Sequence, residues 1–334
     1  MTRQRALIPA SYFGIAVGFL ALANAWRVAA RLWQLPEQLA SALTVAALLV
    51  WLAVLVAYAG KWLLRRDEAL AELQHPMQSS FVALGPVSTL LAAMALLPYS
   101  RNLATGVVVL AIATQLWLGL YLYGRFWQGG RKPEMITPAI YLPAVAQNFV
   151  AGTAAATFGW PQLGAFFFGA GLLSWLAIES LILNRAAVHE SLPAALRPTL
   201  GIQLAPPVVG GVTYLSLTSG VPDIFTEILL GYGLYQALLL LRLLSWIREQ
   251  TFTPSYWAFS FGVAALPTMV MRMLERGATG PIEWFAPTLF VLANVIIGTL
   301  AFKTFSLLLR GKLLPTAPVT APYPSMPREE PVKT

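Results

Sequence analysis

Ten stretches of mainly apolar residues follow one another along this chain, near 10–30, 39–64, 80–98, 103–124, 138–157, 163–184, 198–218, 222–246, 255–273 and 282–308. Each approaches or exceeds the roughly 20 residues that carry a helix across a ~30 Å hydrocarbon layer. Inside that layer every backbone N–H and C=O must find its partner within the protein, which leaves helices or a closed barrel. Runs this long read as helices. The chain is therefore expected to be an all-α integral membrane protein of ten transmembrane helices. Only 11% of its residues are charged against 57% apolar, where soluble domains carry about 25% charged residues. The first and seventh stretches are the weakest, diluted by glycine, proline and polar residues.

The opening MTRQRALIPASYFGIAVG is a basic flank followed by an apolar run too long for a signal-peptide core, and it reads as a retained first span. After Leu309 the sequence turns proline-rich and polar. The expected organisation is one membrane domain over 1–309 and a disordered tail over 310–334.

Charge placement gives the orientation. With ten spans both ends lie on one side, and seventeen of the 22 lysines and arginines fall there, leaving Arg27, Arg31, Arg101, Arg272 and Arg276 opposite. The positive-inside rule then puts both termini in the cytoplasm. The same asymmetry accounts for the net charge of +8 without a nucleic-acid partner. The chain has no cysteine, and its two histidines, His75 and His189, fall in expected loops, so no cofactor or metal site is expected.

Proline falls inside the third, fifth, seventh and ninth spans, at Pro86, Pro143, Pro206 with Pro207, and Pro267, about 60 residues apart. The even spans carry Pro222 and Pro287, expected in their first turns. Odd spans also hold small and polar residues, among them Gly14, Ser88, Gln147, Asn148, Gln203, Ser260 and Gly262. Broken backbone and polar groups are tolerated at membrane depth only within protein or along a water-filled path. The pattern predicts an inner ring of five kinked odd helices around a pore and an outer ring of five straighter even helices against lipid.

Several stretches, in order over nearly the whole chain, resemble the tellurite-resistance/dicarboxylate transporter family in its bacterial TehA branch. They include SYFGIAVG (11–18), ELQHPMQSSFVAL (72–84), FWQGG (126–130), YLPAVAQNF (141–149), LGIQLAP (200–206), GYGLYQALLLLRL (231–243) and WAFSFGVAAL (257–266). That family is similar to fungal malate permeases and plant slow anion channels. The resemblance implies five quasi-repeated helical hairpins, a central pore lined by odd helices, a homotrimer and a place in the bacterial cytoplasmic (inner) membrane. It also implies that Phe261, on the ninth span, plugs the pore, as an aromatic ring closing a narrow apolar constriction can. Gly262 beside it is expected to leave the ring room to swing. Phe13 and Gly14 repeat the Phe-Gly pair in the first span and are further candidates for the constriction. Pro86, Pro143, Pro206 and Pro267 are expected to line the pore. Ser88, Gln147, Asn148, Gln203 and Ser260 either line it or tie kinked helices together by hydrogen bonds.

The charges that are missing bear on mechanism. No lysine or arginine falls in the middle of an odd span, whereas a tight dicarboxylate site uses paired cations. No odd span has an internal acid, although proton symport calls for a titratable group in the pathway. Glu179, on the sixth span, is the one clear intramembrane acid, expected to pair or hydrogen-bond between helices with Arg185 or Arg242. The expectation is a non-enzymatic anion channel or facilitator for small monovalent anions, C4-dicarboxylates or tellurite. The alternatives are a proton-coupled dicarboxylate carrier or toxic-anion exporter and, remotely, an intramembrane enzyme.

Overall fold

The computed structural model describes residues 8–314, so the expected tail beyond Leu314 lies outside the described residues. The described chain folds into helices α1 (Phe13–Trp33), α2 (Glu37–Leu64), α3 (Arg66–Gln74), α4 (Ser79–Val82), α5 (Leu84–Leu96) and α6 (Arg101–Trp127). After these come α7 (Gln147–Thr157), α8 (Pro161–Val188), α9 (Ala205–Leu217), α10 (Ile224–Ile247), α11 (Ser260–Glu275) and α12 (Ile282–Leu309). Among the described residues, nine helical stretches are long and apolar enough to cross a membrane. The remaining expected span, 138–157, is present but is not one helix. It is a 3₁₀ turn (Pro138–Tyr141), a π-turn (Leu142–Ala146) and then α7. Pro138 and Pro143 supply no N–H to a regular ladder, and the backbone settles into the looser geometries.

Helices α1, α5, α7, α9 and α11 pack side by side into a closed ring, each in contact with the next and α11 with α1. Their partners α2, α6, α8, α10 and α12 each pack on the helix that precedes them. Burial follows the same division. The four continuous inner spans bury 67–72% of their apolar windows, and the five outer ones only 22–33%. Rows of exposed leucine, valine and phenylalanine on the outer helices, such as Leu49, Val56, Leu120, Phe166, Leu238 and Phe302, are the surface that lipid covers.

Every inner span enters irregularly and becomes regular partway. Short 3₁₀ segments lead into α1 (Ala10–Tyr12), α9 (Ala194–Leu204) and α11 (Pro254–Phe259), and a break at Ala83 separates α4 from α5. Most of the conspicuous prolines belong to these junctions. Pro86 and Pro206 lie in the first turns of α5 and α9, where no intrahelical N–H is required of them, and only Pro267 interrupts the middle of an inner helix. On the outer ring, Pro287 sits in the second turn of α12.

The entry to α1 is pinned from outside the membrane core. Glu72, on the short helix α3, accepts the Ala10 N–H at 2.8 Å and pairs with Lys61 Nζ of α2 at 2.8 Å, with both side chains almost fully buried. Tyr58 OH also donates to this carboxylate, at 3.3 Å, and its ring meets Phe13 edge-on at 5.2 Å.

Candidate functional site

One axial cavity of about 190 Å³ is walled by all five inner spans. The first contributes Ser11, Gly14 and Val17; the third, Met77, Gln78, Phe81 and Leu84; the fifth, Tyr141, Leu142, Val145, Ala146 and Phe149. The seventh adds residues from Ala195 to Val209, and the ninth Pro254, Ser255, Trp257, Ala258 and Phe261. The wall thus begins in the loops on the side bearing the chain ends and ends within the first two turns of the regular helices. Among the described residues, no wall side chain carries a charge at neutral pH. The polar groups available are hydroxyls, one amide and one indole.

Phe261, the second residue of α11, is a partly buried wall residue. Gly14 and Pro206 share the cavity with it. Phe13 is not a wall residue. It is 1% exposed, with its ring against Tyr58 and its edge 3.6 Å from where a Cβ on Gly85 would stand. Gly14, the next residue, does line the cavity, because one step along a helix turns a side chain by about 100°. Gly262 lies where α11 meets the start of α9. A Cβ there would stand 2.8 Å from Leu204 Cβ and 3.0 Å from Ala205 N, so the missing side chain lets α11 press against the start of α9.

Four of the polar candidates donate to backbone carbonyls, Gln147 across to another span and the rest within their own. Gln147 Nε2 donates to Ala83 O at 3.4 Å, across to the break ahead of α5. Asn148 Nδ2 donates to Ala144 O at 2.6 Å within the π-turn, Ser88 Oγ to Gly85 O at 2.8 Å, and Ser260 Oγ to Trp257 O at 2.7 Å. Each occupies a carbonyl near a point where the regular ladder starts or shifts. Gln203 is 9% exposed, and its Oε1 has no protein partner. Pro86, Pro143 and Pro267 are buried and lie outside the cavity wall.

Three further residues bear on the site. Trp257 is 2% exposed, lines the cavity and donates from Nε1 to Thr304 Oγ1 of α12 at 2.8 Å. Glu179 contacts neither expected arginine. It accepts from Tyr141 OH, from Trp175 Nε1 at 3.0 Å and from Tyr232 OH at 2.9 Å, and through Tyr141 it reaches the cavity wall. At the cavity mouth His75 Nδ1 accepts the N–H groups of Met77 and Gln78, each at 3.2 Å, which shapes the loop that supplies Met77 and Gln78. Burial pushes the His75 pKa below its ordinary value, opposed by the nearby charge of Glu72.

Comparison with known proteins agrees with this architecture. Residues 8–305 match the family model described as voltage-dependent anion channel, SLAC1. The chain is 35% identical over 306 residues to a tellurite resistance protein TehA homolog of Haemophilus influenzae, covering 91% of this chain and 92% of that one. It is 27% identical over 243 residues to the uncharacterized transporter MJ0576 of Methanocaldococcus jannaschii, covering 65% of this chain and 69% of the relative. It is also 20% identical over 307 residues to the guard cell S-type anion channel SLAC1 of Arabidopsis thaliana, covering 89% of this chain and 55% of the plant protein. A multi-pass helical membrane protein with a ring of inner helices and a match over nearly its whole length, the chain belongs to the SLAC1 voltage-dependent anion channel family.

Proposed function

We propose that this protein is a channel for small monovalent anions in a bacterial cytoplasmic membrane, closed at rest by Phe261, with both termini cytoplasmic and three copies assembled around separate pores. The observation that carries the reading is the cavity itself. Five inner spans converge on an uncharged wall, and an aromatic ring belongs to that wall near its inner end. An aromatic constriction excludes hydrated ions by resisting wetting, and a wall without cations gives passage rather than tight capture. The named relatives bring tellurite oxyanions into the range of anions to be tested.

The test is current through purified protein in planar bilayers with symmetric chloride or nitrate. A small conductance in the parent and a large anion-selective conductance in Phe261→Ala are expected. Equal conductance in the two would remove Phe261 as the gate, and silence from both, with insertion and folding demonstrated, would overturn the channel reading.

A proton-coupled carrier of dicarboxylates is the second reading, favoured by one observation, the hydrogen bond from cavity-lining Tyr141 to the intramembrane Glu179. It requires saturable uptake of labelled malate driven by a proton gradient and abolished in Glu179→Gln.

A further inference from the structure

All five inner helices run in the same direction, so their C-termini gather at the end of the ring opposite the cavity. Each helix C-terminus carries unpaired carbonyls equivalent to about half a negative charge. Five of them around one axis make an entrance that repels anions. The structure places arginines there. Arg27 of α1 donates to Met94 O in the last turn of α5, at 3.4 Å. Arg272 of α11 donates to Val212 O at 3.2 Å and to Ser216 Oγ at 2.7 Å, both in α9. Arg276 donates to Leu215 O and, at 2.5 Å, to Thr218 O, where α9 ends. Arg31 completes the group through an ion pair with Glu275 at 3.1 Å, joining α1 to α11.

The acids on the same side lie elsewhere. Glu37 opens α2, Asp223 caps α10 and accepts Thr226 N–H at 3.1 Å, Glu227 stands in the first turn of α10, and Glu283 opens α12. All four belong to outer-ring helices, whose positive N-termini they complement. Charge on this face is sorted radially, with arginine on the inner ring and carboxylate on the outer one. Glu275, held by Arg31, is the inner-ring exception, and Arg101 at the start of α6 is the outer one.

We propose that Arg27, Arg31, Arg272 and Arg276 form an anion-concentrating outer vestibule, in which they cancel the C-terminal dipoles of the inner helices and raise the local concentration of small monovalent anions. The proposal rests on the anion-channel reading. Long-range attraction of this kind is screened over about 10 Å at 0.1 M salt and about 3 Å at 1 M.

The experiment measures rectification of chloride current in the Phe261→Ala background, comparing anion entry from the two faces at 0.1 M and 1 M salt. Arg31→Gln and Glu275→Gln break the same ion pair, so a structural role moves both variants in the same direction. The vestibule moves them in opposite directions. At 0.1 M, Arg31→Gln lowers entry from the outer face about two-fold and Glu275→Gln raises it by a similar factor, as one unit charge some 8 Å away in water dictates. Arg272→Gln lowers it too, and Arg272→Lys restores it. All the differences collapse at 1 M. Shifts of the same sign in Arg31→Gln and Glu275→Gln, no shift in either, or shifts that persist at 1 M would overturn the proposal. Absence of anion current in Phe261→Ala itself would instead defeat the channel reading beneath it.

Discussion

Replacing Lys61 by methionine tests how the first inner span is held in place. The ammonium lies 2.8 Å from Glu72 Oε2, and the two side chains are 5% and 1% exposed. Removing it strands a carboxylate that keeps two neutral donors, Ala10 N–H and Tyr58 OH. Breaking a buried pair from one side costs about 3–5 kcal/mol, because the surviving charge has lost its partner without regaining water. Glu72→Gln strands the ammonium instead and costs a similar amount. The double variant Lys61→Met/Glu72→Gln leaves no charge, and its amide oxygen still accepts from Ala10. It should lie within about 2 kcal/mol of the parent. The assay is equilibrium unfolding of the detergent-solubilised protein, read by tryptophan fluorescence and analysed as a double-mutant cycle. If Lys61→Met costs under about 1 kcal/mol, as exposed pairs do, or if the double variant equals the sum of the singles, the pair is not a buried anchor. The consequence for the site is direct, since Ala10 leads into Ser11 and Gly14 of the cavity wall.

Gly18→Ala would place a Cβ 2.4 Å from Ser260 Oγ and 2.8 Å from Trp257 Cε3; a stability loss of about 1–3 kcal/mol is expected, with Gly60→Ala, which meets nothing within 4 Å, as the harmless control in the same unfolding assay. Glu179→Gln keeps an acceptor for Tyr141 and Tyr232, so anion current in the Phe261→Ala background should stay within about two-fold of its value with Glu179 present; a collapse, read in the same bilayer recording, would favour the carrier. The folded-state pKa of His75 is lowered, so the unfolded chain takes up its proton first. The stability this contributes is full above the ordinary value of about 6.5 and lost as pH falls through the lower folded value. His75→Asn should remove that part of the acid-side loss in an unfolding-versus-pH series.

Much of the architecture was legible because hydrocarbon is an undemanding solvent to read. Length and apolarity alone locate nine spans, and the alternation of small, polar, proline-bearing segments with bulky ones anticipates the burial contrast between α1 or α9 and α2 or α12. The span over 138–157 was expected as a helix and is a composite, because hydropathy does not register where Pro138 and Pro143 withdraw their N–H groups. The polar candidates were harder. Gln147, Asn148, Ser88 and Ser260 read equally well as pore dipoles or as ties; in the structure they donate to the carbonyls of Ala83, Ala144, Gly85 and Trp257, of which only Ala83 lies on another span.

By itself the sequence determined that this chain lives in a membrane as a helical bundle with an uncharged centre, because the cost of burying backbone and charge in lipid is paid residue by residue and needs no knowledge of neighbours. Only the tertiary structure decided which residues face the cavity. Phe261 lines it, and Phe13 turns to Tyr58. Gly262 admits Leu204, and Trp257 is buried against the cavity. It likewise decided that, on the face opposite the cavity, arginines meet the C-termini of inner helices while four of the five acids there meet the N-termini of outer ones. Those outcomes depend on the rotation of each helix about its axis and on contacts between residues as many as 301 positions apart, such as Tyr12 with Leu313, and no local pattern carries that information.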